Sequence, residues 1–429
     1  MEKRYVVVVA VGVILLSGPR AALADEIAEL KGQVEQIRQE NHALREQLDR
    51  QQALTERLLT KVETLEHASR AAPGHVQGVA ETPMESALER QPEPPAFINI
   101  PRLLVRGFAD GIFNAKWTDS EQNNTFILGA VDFYTTSEVT DQVNVLVEAT
   151  FNSDTDTNAA TYRLERALVK YSYSDLLNVT VGRMHAPVSY WNMTYHHGNW
   201  LQTTIFRPDI VLHEAENGAF IPVHQVGIDL SGATEFEGVD VGYNVGLFNG
   251  RGRTVTEVQH VKDKNDSKAV NFHVSLKPHA IAGLTLGATA WLDEIPGNPP
   301  TAARREQINE LVLGQYATYY HGNTELIGEL FNILHDDKTS GEEFDTIGFY
   351  LQGGYRIGAL TPYYRFDFID VANGDPFYTA PRNLDRTRHT LGLRWDFQPW
   401  NALKLEYSAL RVDMADDEQA LNVNWSFAF

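Results

Sequence analysis

From Ile98 to the end of the chain, apolar and polar residues alternate at a period of two. Val143, Val145, Val147, Ala149 and Phe151 alternate with Asn144, Glu148 and Thr150, and Val239, Val241, Tyr243, Val245 and Leu247 with Asp240, Gly242 and Asn244. The stretches Leu284 to Leu292, Ile347 to Tyr355, Pro362 to Phe368 and Leu403 to Ala409 read the same way. Successive side chains on a strand point to opposite faces, so each run predicts a strand with one apolar and one polar face. Each run is about ten residues, which at about 3.3 Å per residue and a tilt near 40° covers roughly 25 Å, the height of the apolar band of a membrane-spanning barrel.

The breaks between runs come in two sizes. Short turns are expected near Glu138 to Asp141, Ser174 to Leu176, Ser231 to Gly238, Pro278 to Gly283, His321 to Asn323, Arg356 to Gly358 and Gln398 to Asn401. Longer loops are expected near Thr118 to Asn124, Asn152 to Ala160, Pro187 to Pro222, Asn249 to Ser267, Asp293 to Asn309, His335 to Glu343, Val371 to Arg386 and Val412 to Glu418. These connections join sixteen strands, and the fold expected is all-β, a 16-stranded antiparallel transmembrane β-barrel with its short turns on one side. Aromatics gather at strand ends, among them Trp117, Tyr171, Tyr173, Trp395, Trp400 and Tyr407, as interfacial girdles require.

Before Ile98 the period changes. Ile27, Val34, Leu48 and Val62 at a, with Leu30, Ile37, Leu44, Leu58 and Leu65 at d, form a heptad seam from Ile27 to Leu65, with Asn41 at an a position. Residues 25–70 therefore predict a coiled-coil helix, a rod of roughly 60 Å that pairs with copies of itself or another chain. Residues 71–97 are a linker rich in proline and glycine. At the start, Lys3 and Arg4 precede the apolar run Tyr5 to Leu16 and the small-residue site Ala22-Leu23-Ala24, which marks residues 1–24 as a secretory signal peptide. The barrel domain is then residues 98–429.

Composition narrows the reading. The 429 residues contain no run of 18 apolar residues, which argues against a helical membrane protein. The net charge of −21 weighs against a nucleic-acid partner. Zero cysteines leave stability to the fold itself.

The last eleven residues, QALNVNWSFAF, put Leu421, Val423, Trp425, Phe427 and Phe429 on one face and Asn422, Asn424 and Ser426 on the other. This segment resembles the closing strand of a Gram-negative outer-membrane β-barrel. The resemblance implies that Trp425, Phe427 and Phe429 are the signal read by the barrel-assembly machinery. Together with the export signal, coiled coil and strand count, the chain resembles a trimeric Gram-negative porin. LERALVKYSYSDLLNVTVGRMHAPVSYW, Leu164 to Trp191, with Gly182, Arg183 and Pro187, resembles more narrowly the phosphate-selective porin O and P superfamily. The resemblance implies a homotrimer in the outer membrane with the coiled coil in the periplasm, and in each barrel a long loop folded inward after the fifth strand.

At about 36 residues, Pro187 to Pro222 exceeds ordinary connection lengths, which marks it as a functional loop. The candidate constriction is Arg183, His185, Tyr190, Trp191, Tyr195, His196, His197, Trp200, Arg207, His213, Glu214 and Glu216, with Arg207 facing Glu214 or Glu216 and the aromatics offering stacking surfaces. The inferred lumen wall is a patchwork: Arg106 and Asp110, Arg166 and Lys170, Arg365 and Asp367, Arg394 and Asp396, Lys404 and Glu406. Such pairing neutralises charge across neighbouring strands, or it serves selectivity. The loop histidines match no metal-ligand spacing, and adjacent His196 and His197 point opposite ways in extended backbone, so no metal or other cofactor is expected.

The function expected is passive diffusion of small polar or charged solutes. A selective phosphate or carboxylate channel needs a ladder of basic residues along the lumen instead. Two readings of another class remain. An outer-membrane barrel enzyme would need a nucleophile and its base, and no G-x-S-x-G cue is present. An envelope tether would act through the coiled coil on peptidoglycan or a periplasmic partner.

Overall fold

The computed structural model describes residues 103–154, 159–195, 198–212, 219–257, 262–297, 307–379 and 383–429. The signal peptide, coiled coil and linker expected from the sequence lie outside the described residues.

Sixteen antiparallel strands close into one barrel. In chain order they are β1 (Leu103–Thr118), β2 (Gln122–Glu138), β3 (Val143–Asp154), β4 (Ala159–Ser174) and β5 (Leu177–His185). After the longest connection come β6 (His224–Phe236), β7 (Val239–Phe248), β8 (Ala269–Pro278), β9 (Leu284–Ile295) and β10 (Ile308–His321). The remainder are β11 (Thr324–Asp337), β12 (Glu343–Tyr355), β13 (Leu360–Asp370), β14 (Arg386–Gln398), β15 (Asn401–Val412) and β16 (Glu418–Ala428). Each strand pairs with its chain neighbour, and β16 pairs with β1. The fold and strand number are those the alternation predicts.

Closure rests on the terminal strand. Phe427 sits opposite Ala109, and Gly107 and Phe429 exchange two backbone hydrogen bonds of 2.9 Å. The Phe429 ring lies so close to Gly107 that an added Cβ would stand 2.4 Å from its Cζ. A side chain at 107 would force that ring away.

Alternation sorts the faces. On β13, Thr361, Tyr363, Arg365, Asp367 and Ile369 are buried inside, while Pro362 and Tyr364 are exposed outside. The terminal strand follows the same rule, with Leu421 and Trp425 exposed and Asn422, Asn424 and Ser426 buried. The β6–β7 connection is shorter than the predicted Ser231 to Gly238. Strand β6 runs to Phe236, and the turn is Glu237 and Gly238, both at positive φ (49° and 79°). Two left-handed residues make a hairpin turn whose twist matches the strands, so no longer turn is needed.

The inside of the barrel is not polar throughout. Trp291, Ile308, Val312, Ile327, Phe331 and Tyr350, inward on β9 to β12, are buried in one apolar cluster with Val188, Trp191, Ile210 and Phe220 from the β5–β6 connection. That connection packs inside the barrel against this wall.

Candidate functional site

The connection between β5 and β6 spans residues 186–223. Its two ends are tied together: Ala186 N–H donates to the Val223 carbonyl (2.8 Å), and Asn192 Nδ2 donates to the carbonyls of Ala186 (2.8 Å) and Val223 (3.0 Å). A single turn of helix, α1 (Tyr190–Thr194), begins where Ser189 caps it, Ser189 Oγ accepting from Asn192 N–H at 3.2 Å. The remaining free N–H groups of a helix start need acceptors. Glu329 of β11 supplies them, accepting from Tyr190 N–H (2.7 Å), Trp191 N–H (2.9 Å) and Ser189 Oγ (3.1 Å). The Tyr350 hydroxyl donates to the same carboxylate at 2.8 Å. This buried carboxyl group is held by donors from both the loop and the wall.

From Gly198 to Leu212 the loop has no ladder to satisfy its carbonyls, so the wall must. Arg394 Nη1 donates to the Trp200 (2.8 Å) and Gln202 (2.7 Å) carbonyls. Lys404 Nζ donates to those of Asn199, Gln202 (2.7 Å) and Thr204 (2.9 Å). Arg365 donates through Nη1 to the Phe206 carbonyl (2.8 Å) and through Nη2 to that of Arg207 (3.1 Å). Acidic neighbours balance these cations and take the loop's N–H groups. Arg365 Nε pairs with Asp367 (2.9 Å) and Arg394 with Asp396 (2.8 Å). Glu406 accepts from Ile205 N–H (2.9 Å), and Asp367 from Asp209 N–H (3.0 Å). Asp209 in turn receives Arg388 Nε at 3.0 Å. Arg365 and Lys404 are each only 1 % exposed. Room for the loop comes from Gly348, where a Cβ would stand 2.4 Å from Ile210 Cδ1.

A third anchor holds residues 219–223. Arg251, from the β7–β8 connection, donates to the carbonyls of Ala219 (3.2 Å) and Phe220 and pairs with Glu310 of β10 (3.1 Å). The Tyr378 hydroxyl, from the β13–β14 connection, donates to the Phe220 carbonyl at 2.5 Å. His335 of β11 stands between Asp375 (2.7 Å) and Glu310 (3.1 Å). Three long connections thus meet over one buried ionic network.

The opposite wall is built differently. Arg106 is exposed on the inward parity of β1, and Lys170 on β4 is half-buried. Arg166 pairs with Glu148 of β3. Beyond Gly182, whose φ of 128° suits only glycine, Arg183 Nε donates to the Leu164 (2.9 Å) and Glu165 (3.0 Å) carbonyls. His185 Nε2 lies 3.8 Å from Glu148, and the His185 and His224 rings are 5.4 Å apart. Asp110 accepts from Asn199 Nδ2 (2.9 Å) and Asn424 Nδ2 (2.8 Å), linking loop, β1 and β16.

The candidate constriction residues therefore separate. Trp191 is fully buried beside Tyr350, and Tyr190 packs on Tyr316, so these rings are packing rather than open stacking surfaces. Tyr195 shares a 2.5 Å hydrogen bond with Tyr320. Trp200 stacks on Phe108, with centroids 6.2 Å apart, and lies near Trp400. Arg207 is half-buried. His196, His197, His213, Glu214 and Glu216 lie outside the described residues, and with them the pairing expected of Arg207. Sequence reasoning missed Glu329, Asn192, Asn199, Asp209 and Arg388. Only Glu329 carried a usable signal, a carboxylate on the inward parity of an otherwise apolar run.

A closed sixteen-strand barrel holding a long inner connection has the porin-type fold. Among solved structures, the chain is similar to the anion-selective porin from Comamonas acidovorans, at 12% identity over 77% of this chain and 100% of that one, with a TM-score of 0.55. It is similar to the outer membrane channel DcaP of Acinetobacter baumannii, at 11% identity over 77% and 97% with a TM-score of 0.53. It is also similar to the trimer form of in-vitro folded OmpT of Vibrio cholerae, at 10% identity over 77% and 99% with a TM-score of 0.51. Identities this low establish the fold and nothing finer. No protein-family model matches the chain, and no curated protein matches it.

Proposed function

We propose that the chain is an outer-membrane porin: a passive conduit for small polar solutes whose bore is narrowed by residues 186–223. The observation that carries this reading is the clamping of that loop inside a closed barrel whose outer surface is apolar. Keeping irregular backbone within a barrel demands a donor or acceptor for each buried peptide group. This wall supplies them through Arg365, Arg394, Lys404, Glu406 and Glu329. In this reading the clamped segment is what narrows the bore. Two of the similar barrels are named as a porin and a channel, and the third, named as an outer membrane protein, is in a trimer form, which supports a homotrimer here. The N-terminal heptads then add a periplasmic coiled coil that holds the copies together or contacts the envelope, and the terminal strand with Trp425, Phe427 and Phe429 is what the assembly machinery reads.

One observation favours selectivity for anions over indifference. The cations of β13 to β15 are spent on the loop together with their carboxylates, whereas Arg106 is exposed on the inward parity of β1 and Lys170, near Asp229, is half-buried on β4. An anion crossing the bore meets donors it can exchange for water. The phosphate-like reading, from the Gly182, Arg183 and Pro187 stretch, is the narrower version of this proposal. Planar-bilayer conductance across a salt gradient tests both. Steps in threes with a reversal potential of anion sign are expected. A cation preference would remove the selectivity reading, and folded barrels without conductance would remove the porin reading.

A further inference from the structure

The inner connection reaches the end of the barrel that carries the short turns at two points. The Tyr195 hydroxyl is 2.5 Å from that of Tyr320, the last residue but one of β10. The Trp200 ring lies 5.9 Å from Trp400, in the turn from β14 to β15, and 6.2 Å from Phe108 of β1, which stacks on Tyr134 of β2 at 5.8 Å. Neither point is sealed. Tyr320 is 37 % exposed and Trp400 62 %, although both touch the inner connection. Each bank also holds a charge. Glu325 faces Tyr320 across the β10–β11 pair and accepts from Thr203 Oγ1 (2.7 Å) and Gln352 Nε2 (2.8 Å), with no cation paired to it among the described residues. Arg106 faces Tyr134 across the β1–β2 pair and is exposed.

We propose that this end of the bore binds neutral sugar rings, which stack on Tyr320 beside Glu325 at one bank and on Trp400 and the rings near Arg106 at the other. A sugar ring has apolar C–H faces and a girdle of hydroxyls that both donate and accept. Exposed tyrosine and tryptophan offer an apolar face with a polar edge to match. A carboxylate and a guanidinium each engage two neighbouring hydroxyls through two parallel hydrogen bonds, the first as acceptor and the second as donor. Other solutes use less of the set. An anion gains nothing from Glu325, an organic cation nothing from Arg106, and an apolar solute nothing from either. The proposal names a solute class for the porin reading and rests on it, but a neutral sugar leaves the reversal potential unmoved and so is separate from ion selectivity.

The test is ion current through the full-length protein in planar bilayers as glucose is added, with triethylene glycol as a solute of similar size that has no ring. Glucose should lower the conductance saturably, and the glycol only in proportion to viscosity. Affinity is then read from the half-saturating glucose concentration, which does not depend on the sugar-free conductance of each variant. Tyr320→Leu and Trp400→Leu, on separate elements, should each weaken it roughly two- to tenfold, the worth of one aromatic contact. Tyr320→Phe, which loses the bond to Tyr195 but keeps the ring, should retain it, as should Tyr319→Leu on the outward face. An ion-conducting barrel in which glucose acts only as the glycol does overturns the proposal. So does full glucose affinity in both leucine variants, or a loss in Tyr320→Phe equal to that in Tyr320→Leu, which would make the tyrosine a prop for the loop. Saturation by choline and not by glucose would overturn it in favour of a cation site. A barrel that conducts no ions would remove the porin reading, and this proposal with it.

Discussion

Two walls of one barrel use the same residue types in opposite ways. Along β13 to β15, Arg365, Arg394 and Lys404 are pressed against loop carbonyls beside Asp367, Asp396 and Glu406. Along β1 and β4, Arg106 is exposed and Lys170 half-buried. A buried cation costs several kcal/mol of desolvation unless partners surround it, whereas an exposed one costs little and remains available to a solute. Arg365 and Arg394 are therefore structural, as are Arg166 and Arg183 on the other wall, whereas Arg106 is left exposed there.

The comparison breaks most severely at Lys404. Lys404→Met keeps the side-chain length but leaves the Asn199, Gln202 and Thr204 carbonyls without their shared donor. Removing one member of a buried ionic group typically costs about 3–5 kcal/mol. The expected outcome is a lower unfolding temperature, protease sensitivity in residues 198–212, and a larger and noisier single-channel conductance. Unchanged conductance together with unchanged proteolysis would mean that this clamp does not define the bore.

Glu329→Ala tests the other end of the loop. It strips acceptors from the Tyr190 and Trp191 N–H groups, from Ser189 and from the Tyr350 hydroxyl. Leaving buried donors unsatisfied costs about 1–3 kcal/mol. Faster amide exchange at Tyr190 and Trp191 is expected, with residues 198–212 still protected because their anchors lie on other strands. Equal loosening of both segments would show that the loop moves as a unit.

On the open wall, Arg106→Gln should leave stability within about 0.5 kcal/mol, as surface substitutions do. Its effect belongs in the reversal potential, which should move toward cations. If instead the barrel is destabilised and selectivity holds, Arg106 belongs with the structural cations and the contrast between the walls disappears.

The strands were legible because the solvent on each face imposes a period of two, and one slipped residue would reverse every side chain. The terminal run from Leu421 to Phe429 announced its faces in this way. The shortened β6–β7 turn was not legible, since Ser231 and Gly232 read as turn residues while the backbone that turns is Glu237 and Gly238. The loop could be recognised by length, but its clamp could not. Arg365, Arg394 and Lys404 were recognisable as inward cations beside carboxylates, yet their main partners are backbone carbonyls, which leave no mark in a sequence. Asp209 and Arg388 meet across 179 positions of chain, a separation that no local pattern encodes.

The smallest expected effect lies outside both walls, where water screens what the interior concentrates. In the turn after β8, His279 Nε2 stands 2.9 Å from Asp240 with Glu235 nearby. The hydrogen bond to Asp240, followed by the negative charge of Asp240 and Glu235, raises the imidazole above its ordinary pKa of 6.5. A raised histidine favours the folded state while it is protonated. Its contribution is complete below the unfolded value and is lost as pH rises through the folded one, so stability should fall slightly across the neutral range. Because the pair is fully solvated, salt should weaken the shift. An NMR titration of His279 should give a midpoint above 6.5 that drops toward it in Asp240→Asn and in high salt. If salt left the midpoint unmoved, the pair would be shielded from water, and the contrast between buried and exposed charge would need a different boundary from the one drawn at the barrel wall.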